Sequence, residues 1–162
     1  MRLGIISDTH DNLRKIAQAV ELFNREEVDL VLHAGDFVSP FTAREFERLQ
    51  ARLIGVFGNN DGDKLYLLER YQGIGELHED HHELELNGRR IVLMHQPKLL
   101  EALIASRKYD VIIYGHTHEV DLSDGPPLVL NPGEASGWLT GRATVALLDL
   151  KTLKVKIINL MV

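Results

Sequence analysis

Two histidines stand two residues apart in YGHTH, residues 114–118, directly after the apolar run DVIIYG. Other polar clusters follow apolar runs in the same way: SDTH with Asp8 and His10, GDF with Asp36, GNND with Asn59, Asn60 and Asp61, and MHQ with His95. Four of the chain's eight histidines fall in such places, a distribution that chance surface placement explains poorly. Imidazole nitrogen, carboxylate oxygen and amide oxygen are ligands for hard and borderline divalent cations. The chain contains no cysteine, which excludes a thiolate site and a disulfide framework together. Asp8, His10, Asp36, Asn59, His95, His116 and His118 are too many donors for one ion and imply two. One carboxylate can bridge ions roughly 3.5 to 4 Å apart, the separation that hydrolases use on phosphate esters. Asp36 is the natural bridge, because it stands alone in its loop.

Taken singly, each motif has a duller reading. Asp8 or Asp36 suits a helix N-cap or a turn, GNND suits a turn, and His95 suits a satisfied buried histidine. Jointly the balance reverses, since every motif occupies the end of an apolar run.

The elements that must carry these residues are legible as an alternation. RLGIISD, DLVLHAGD, RLIGVFGN, RRIVLMH and DVIIYGH are short and rich in Val, Ile and Leu, which suits strands buried on both faces. Between several of them lie amphipathic, helix-length stretches. DNLRKIAQAVELFNREE sets Leu13, Ile16, Ala17, Val20 and Phe23 at helical spacing behind Asp11 or Asn12 as N-cap. SPFTAREFERLQA and GDKLYLLERY repeat the pattern more briefly, and KLLEALIASRKY puts Leu99, Leu100, Leu103 and Ile104 on one side. Such alternation predicts right-handed crossovers and a mostly parallel sheet, whose ligands gather outside the carboxyl ends of the strands. HHELELNGRRIVLMH and RATVALLDLKTLKVKIINLMV read instead as hairpins, so the sheet system is mixed. SDGPPL is a turn, and no linker or repeat interrupts residues 1–162, which read as one domain.

Composition narrows the function classes. Hydrophobic residues make up 44% and charged residues 26% of 162, and the apolar runs are strand-sized, so no membrane span is expected. MRLGIISDTH enters a strand pattern at once, from which we expect no secretory leader and a cytoplasmic location. A formal charge of -6 argues against broad binding of a nucleic-acid backbone.

The ordered set D-x-H at Asp8 and His10, G-D at Gly35 and Asp36, G-N-x-D from Gly58 to Asp61, the lone His95, and G-H-x-H from Gly115 to His118 resembles the calcineurin-like metallophosphoesterases. It is most similar to their small bacterial and archaeal single-domain phosphodiesterase branch. The resemblance implies a four-layer αββα fold, with two mixed sheets between helices. It also implies one metal held by Asp8, His10, Asp36 and His118 and a second held by Asp36, Asn59, His95 and His116, manganese being the first expectation and nickel, zinc, iron or magnesium the alternatives. Both imidazoles of GHTH would enter one pocket if the segment is extended, because alternate residues then point the same way. The implied activity is a phosphodiesterase in which a hydroxide bridging the two ions attacks phosphorus in line, with Asp36, Asn59, Asn60, Asp61 and His95 as catalytic residues. Asn59 and Asn60 are expected to bind phosphate oxygens or to hold ligands, and Asp61 to orient Asn60 or a water. The implied partner is a small phosphate ester, and homodimers are common in such proteins.

Two residues depart from the family pattern. Asn60 stands where larger members carry a histidine, and an amide cannot protonate a leaving group at neutral pH. Glu134, in NPGEASGWLTGR, stands where a serine is usual; in the same segment Trp138 and Arg142 are weighed as substrate contacts against the plainer reading of a surface loop. His33 is expected to lie within the strand that supports Asp36, as packing or as support behind the ligands and not as a ligand, and His78, His81 and His82 to lie on a solvated strand edge. The rival function is a non-catalytic protein scaffold of the retromer-subunit type. That subunit has lost part of the pocket, whereas every expected ligand is present here.

Overall fold

The computed structural model describes residues 1–161. In chain order the elements are β1 (Arg2–Ile6), α1 (Leu13–Arg25), β2 (Leu30–His33), a 3-10 turn (Pro40–Thr42) running into α2 (Ala43–Phe46), β3 (Arg52–Val56), α3 (Lys64–Arg70), β4 (Gly75–His78), β5 (His81–Leu86), β6 (Arg89–Met94), α4 (Leu100–Ser106), β7 (Val111–Ile113), β8 (Val120–Ser123), β9 (Leu128–Pro132), β10 (Thr144–Asp149) and β11 (Lys154–Asn159).

α1 forms where an apolar stripe and a cap coincide. The Asn12 side chain accepts a hydrogen bond from the Lys15 amide at 3.3 Å, Arg25 complements the carbonyl end, and Ile16, Ala19, Val20, Leu22 and Phe23 are buried. Leu13, expected on that face, is instead exposed at its margin. The stretch around Pro40 yields only the 3-10 turn and the single turn of α2 before the chain enters β3 at Arg52.

Two mixed sheets result. The first has the order β11-β10-β1-β2-β3-β4, with β1 to β4 parallel and β10 and β11 antiparallel. The second has the order β5-β6-β7-β9-β8, with β6, β7 and β9 parallel between antiparallel edges. Side chains alternate across the strands as the pleat requires. Leu3, Ile5, Leu30, Leu32 and Val56 point at Ile91, Leu93, Val111, Ile113 and Leu130 of the second sheet, whereas Ile6, Val31 and Leu53 face the other way, toward Ile16, Val20 and Phe23 of α1. Helices therefore cover the outer face of the first sheet. On the outer face of the second, Val92, Met94, Ile112, Tyr114 and Val129 meet only α4, none of whose residues is buried. The four layers are those expected, and the fourth is thin. β8 is fully exposed and was not anticipated, because the apolar–polar alternation of VDLS lasts only four residues beside the SDGPPL turn.

Parallel β1, β2 and β3 end on one edge, and parallel β6 and β7 end on the adjoining one. The loops carrying Asp8, Asp36, Asn59, His95 and His116 leave from those ends.

Candidate metal centre

The loops approach so closely that side chains are excluded at two positions. A Cβ on Gly58 would collide with Asp36 Oδ1, and one on Gly115 with Ser7 Oγ. The backbone is unusual at the donors themselves. Asp8 (φ 52°), His10 (φ 38°), Asp36 (φ 60°), His116 (φ 70°) and His118 (φ 63°) all lie in the left-handed region, which is uncommon for residues with a Cβ and concentrates at functional sites. GHTH is therefore not extended, as the period-two argument assumed. Each histidine turns inward through its own positive φ, and the Thr117 amide donates to the Gly115 carbonyl between them at 2.8 Å.

Side-chain donors converge around three oxygens. Asp8 Oδ1 lies 3.3 Å from His118 Nε2 and 3.7 Å from His10 Nε2. Asp36 Oδ2 lies 3.5 Å from His10 Nε2 and 3.4 Å from His95 Nε2. Asn59 Oδ1 lies 2.9 Å from both His95 Nε2 and His116 Nδ1. Asp36 thus stands between the two groups of donors. Asp8, His10 and His118 could hold one ion among them, and so could Asp8, Asp36 and His95.

The surrounding bonds fix which nitrogens carry lone pairs. His95 Nδ1 donates to the Ala34 carbonyl at 2.7 Å, leaving the Nε2 of a neutral ring as a lone pair aimed at two oxygens. His118 Nδ1 donates to Glu134 Oε2 at 3.1 Å, leaving its Nε2 to face Asp8 Oδ1 and, at 3.3 Å, His10 Nε2. Lone pairs aimed at one another repel unless a cation or a proton lies between them. Consistently, the Asp8 contact and the nearby carboxylates raise the pKa of His10 against its burial. Burial lowers that of His95, but Asp36 outweighs it and the net shift is upward. Burial pushes the Asp36 carboxyl up, yet His95 and both Asn60 donors hold it below the ordinary carboxylate range. Asp8 Oδ1 is buried and has no hydrogen-bond partner. Its other oxygen accepts from Ser7 Oγ at 2.5 Å and from the His116 amide at 3.0 Å.

Asn60 faces Asp36, donating from its amide N to Oδ1 (2.8 Å) and from Nδ2 to Oδ2 (2.7 Å). Asp61 does not orient Asn60. Its buried carboxylate accepts from the amides of Gly58 (2.7 Å), Asp36 (3.1 Å) and Val38 (2.7 Å), and so ties the loop after β3 to the loop after β2.

Glu134 is fully buried and was missed as a site residue. Besides His118 it accepts from Ser136 Oγ (2.7 Å), Thr140 Oγ1 (2.7 Å) and the amides of Trp138, Leu139 and Thr140. Burial raises its pKa, but these donors win and hold it at about 2. The carboxylate behind a ligating imidazole fixes ring and tautomer. Trp138 is 65% exposed beside the site, its indole N–H donating to the His10 carbonyl at 3.1 Å, while Arg142 is exposed in the same loop. His33 lies behind these donors, accepting from the Gly35 amide at 3.1 Å, donating to Thr9 Oγ1 at 3.2 Å and stacking on Phe37 at 3.6 Å. His78 and His82 stack on each other at 3.6 Å at the edge of the strands, and no metal-sized cluster forms there among the described residues.

This fold with this cluster defines a phosphoesterase, and the chain belongs to the calcineurin-like phosphoesterase superfamily, whose domain matches residues 1–153. It is 45% identical over 154 residues to a phosphodiesterase of Methanocaldococcus jannaschii, covering 92% of this chain and 93% of that one. The solved structure of an archaeal phosphodiesterase superposes with a TM-score of 0.94 at 42% identity, covering 99% of this chain and 100% of that chain. Vps29 of Chaetomium thermophilum shares the fold, with a TM-score of 0.72 at 14% identity over 98% of this chain and 95% of that one. The family implies divalent metal ions, and the residues fit them: a buried carboxylate oxygen without a partner and inward-facing imidazole lone pairs are what a bound cation would satisfy.

Proposed function

We propose that the chain is a phosphodiesterase that works with two divalent cations, manganese first among them, on a small phosphate ester. The observation carrying this reading is that Asp8, Asp36 and Asn59 each present an oxygen to imidazole nitrogens from separate loops, with Asp36 shared between two groups of donors. In the proposed assignment Asp8, His10, Asp36 and His118 hold one ion, and Asp36, Asn59, His95 and His116 the other. When bound, such cations supply Lewis acidity and neutralise the charge that builds on the phosphoryl oxygens.

The remaining work belongs to this chain's own groups. Asn60 grips both oxygens of Asp36 and so fixes the shared carboxylate, the second of the two tasks expected of it. Asp61 holds the backbone on which Asp36 and Asn59 are presented. Glu134 fixes the tautomer of His118, and Ala34 that of His95. Asn60, standing where a histidine is usual, cannot protonate the leaving group, so esters with good leaving groups are favoured.

The test is a rate comparison on chelator-stripped protein, before and after manganese, using an activated aryl diester and the matching monoester, with Asp36→Asn as control. Metal-dependent turnover of the diester that is lost in the variant supports the reading. No turnover with manganese, nickel, zinc or iron would move the reading to a non-catalytic scaffold.

A further inference from the structure

α4 carries an apolar side that the fold uses only in part. Leu99 is 66% exposed just before it, Leu100 and Leu103 only lean on Val92 and Met94, and no residue of the helix is buried. An amphipathic helix gains most of its stability by burying such a stripe, so the face is left short of a partner. Beside it opens a cavity of about 610 Å³ whose apolar lining is Val92, Met94 and Tyr109 with Leu99 and Leu103. The same cavity is lined by Asn59 and His95. It thus adjoins the candidate metal centre, and a substituent of a phosphate held there would extend into it.

The charges lining the cavity say what that occupant is. Lys64 and Lys98 are matched by Glu79 and Asp80, and Lys64 already pairs with Glu79 at 3.6 Å. Two ammonium groups against two carboxylates leave no net attraction for a further phosphate, so a polynucleotide running through the cavity is disfavoured. The volume suits one bicyclic ring system with room for water.

We infer that the cavity between α4 and β6 is a subsite for a neutral, apolar or aromatic substituent of the phosphodiester, which completes the packing of α4. The inference rests on the phosphodiesterase reading for the position of the phosphate, and binding tests it without requiring turnover.

Calorimetry on the manganese-loaded protein would compare dimethyl phosphate with methyl 1-naphthylmethyl phosphate. The naphthyl ester is expected to bind at least about tenfold tighter, and Leu103→Glu or Leu99→Glu to erase most of that preference. Leu99, 66% exposed just before the helix, can be replaced without disturbing the core, whereas Leu103 is half-buried against Val92 and Met94, so Leu99→Glu is the variant that keeps the test independent of folding. Equal affinities in the wild-type protein would overturn the inference and leave the face to a second copy of the chain or another protein. A preference that survives in both variants would overturn it too. Manganese-dependent hydrolysis of methyl 4-nitrophenyl phosphate reports separately on the function. If that hydrolysis is absent while the tenfold preference remains, the phosphodiesterase reading fails and the subsite stands.

Discussion

Glu134 and His33 act on the site through other residues, and each gives a prediction of its own. Glu134 gathers the loop amides of residues 138–140 and holds the ring of His118. Glu134→Gln keeps an oxygen for those amides but removes the charge behind His118, so manganese affinity should fall by about 10- to 100-fold, read by calorimetry, with little change in far-UV circular dichroism. An unchanged affinity would show that His118 needs no such support. His33 is fully buried, and burial, reinforced by His95, depresses its pKa well below the usual value. The unfolded chain therefore takes up this proton first, near pH 6.5, so its contribution to stability is complete above that pH and drains away as the pH falls. In urea titrations of metal-free protein, the stability gap between wild type and His33→Gln should narrow from pH 7 to pH 5. These two residues were unequally legible. LVLHAGD marked His33 as a strand residue supporting Asp36, whereas nothing local in PGEAS announces that Glu134 will meet His118 sixteen positions earlier.

At the scale of elements, the strand ends and their order could be read because each candidate ligand follows an apolar run, and a buried strand is a strong signal even in a single sequence. The hairpins β5-β6 and β10-β11 were legible from their turns for the same reason. Backbone conformation within the loops was not. Five donors adopt positive φ, a choice made by converging loops and not by the residues' own preferences, and so the extended reading of GHTH failed. The amphipathic pattern of α4 correctly gave a helix but not its poor burial, which depends on how far the second sheet reaches. The loops' approach is tight enough to test. A methyl at position 115 would press on Ser7 Oγ beside the buried Asp8, so Gly115→Ala should cost about 1–3 kcal/mol in chemical denaturation and weaken metal binding along with it. Wild-type stability in that variant would mean that the loop after β7 has slack.

For the whole molecule, the two sheets meet through an apolar core and hold buried carboxylates and imidazoles together at one edge. Holding like groups so close without a cation is unfavourable, and a ligand that binds only the folded chain stabilises it by mass action. Manganese at about a hundredfold excess over its dissociation constant should add roughly 2.7 kcal/mol and raise the thermal midpoint by roughly 5–10 °C, reversibly with chelator. A midpoint indifferent to manganese, nickel and zinc would speak against a metal centre of any kind. The number and position of the ions are decided most directly by anomalous diffraction from crystals soaked in manganese. Two peaks roughly 3.5 to 4 Å apart, one on each side of the Asp36 carboxylate, are the predicted result. A single peak, or peaks away from Asp36, would contradict the two-metal phosphodiesterase.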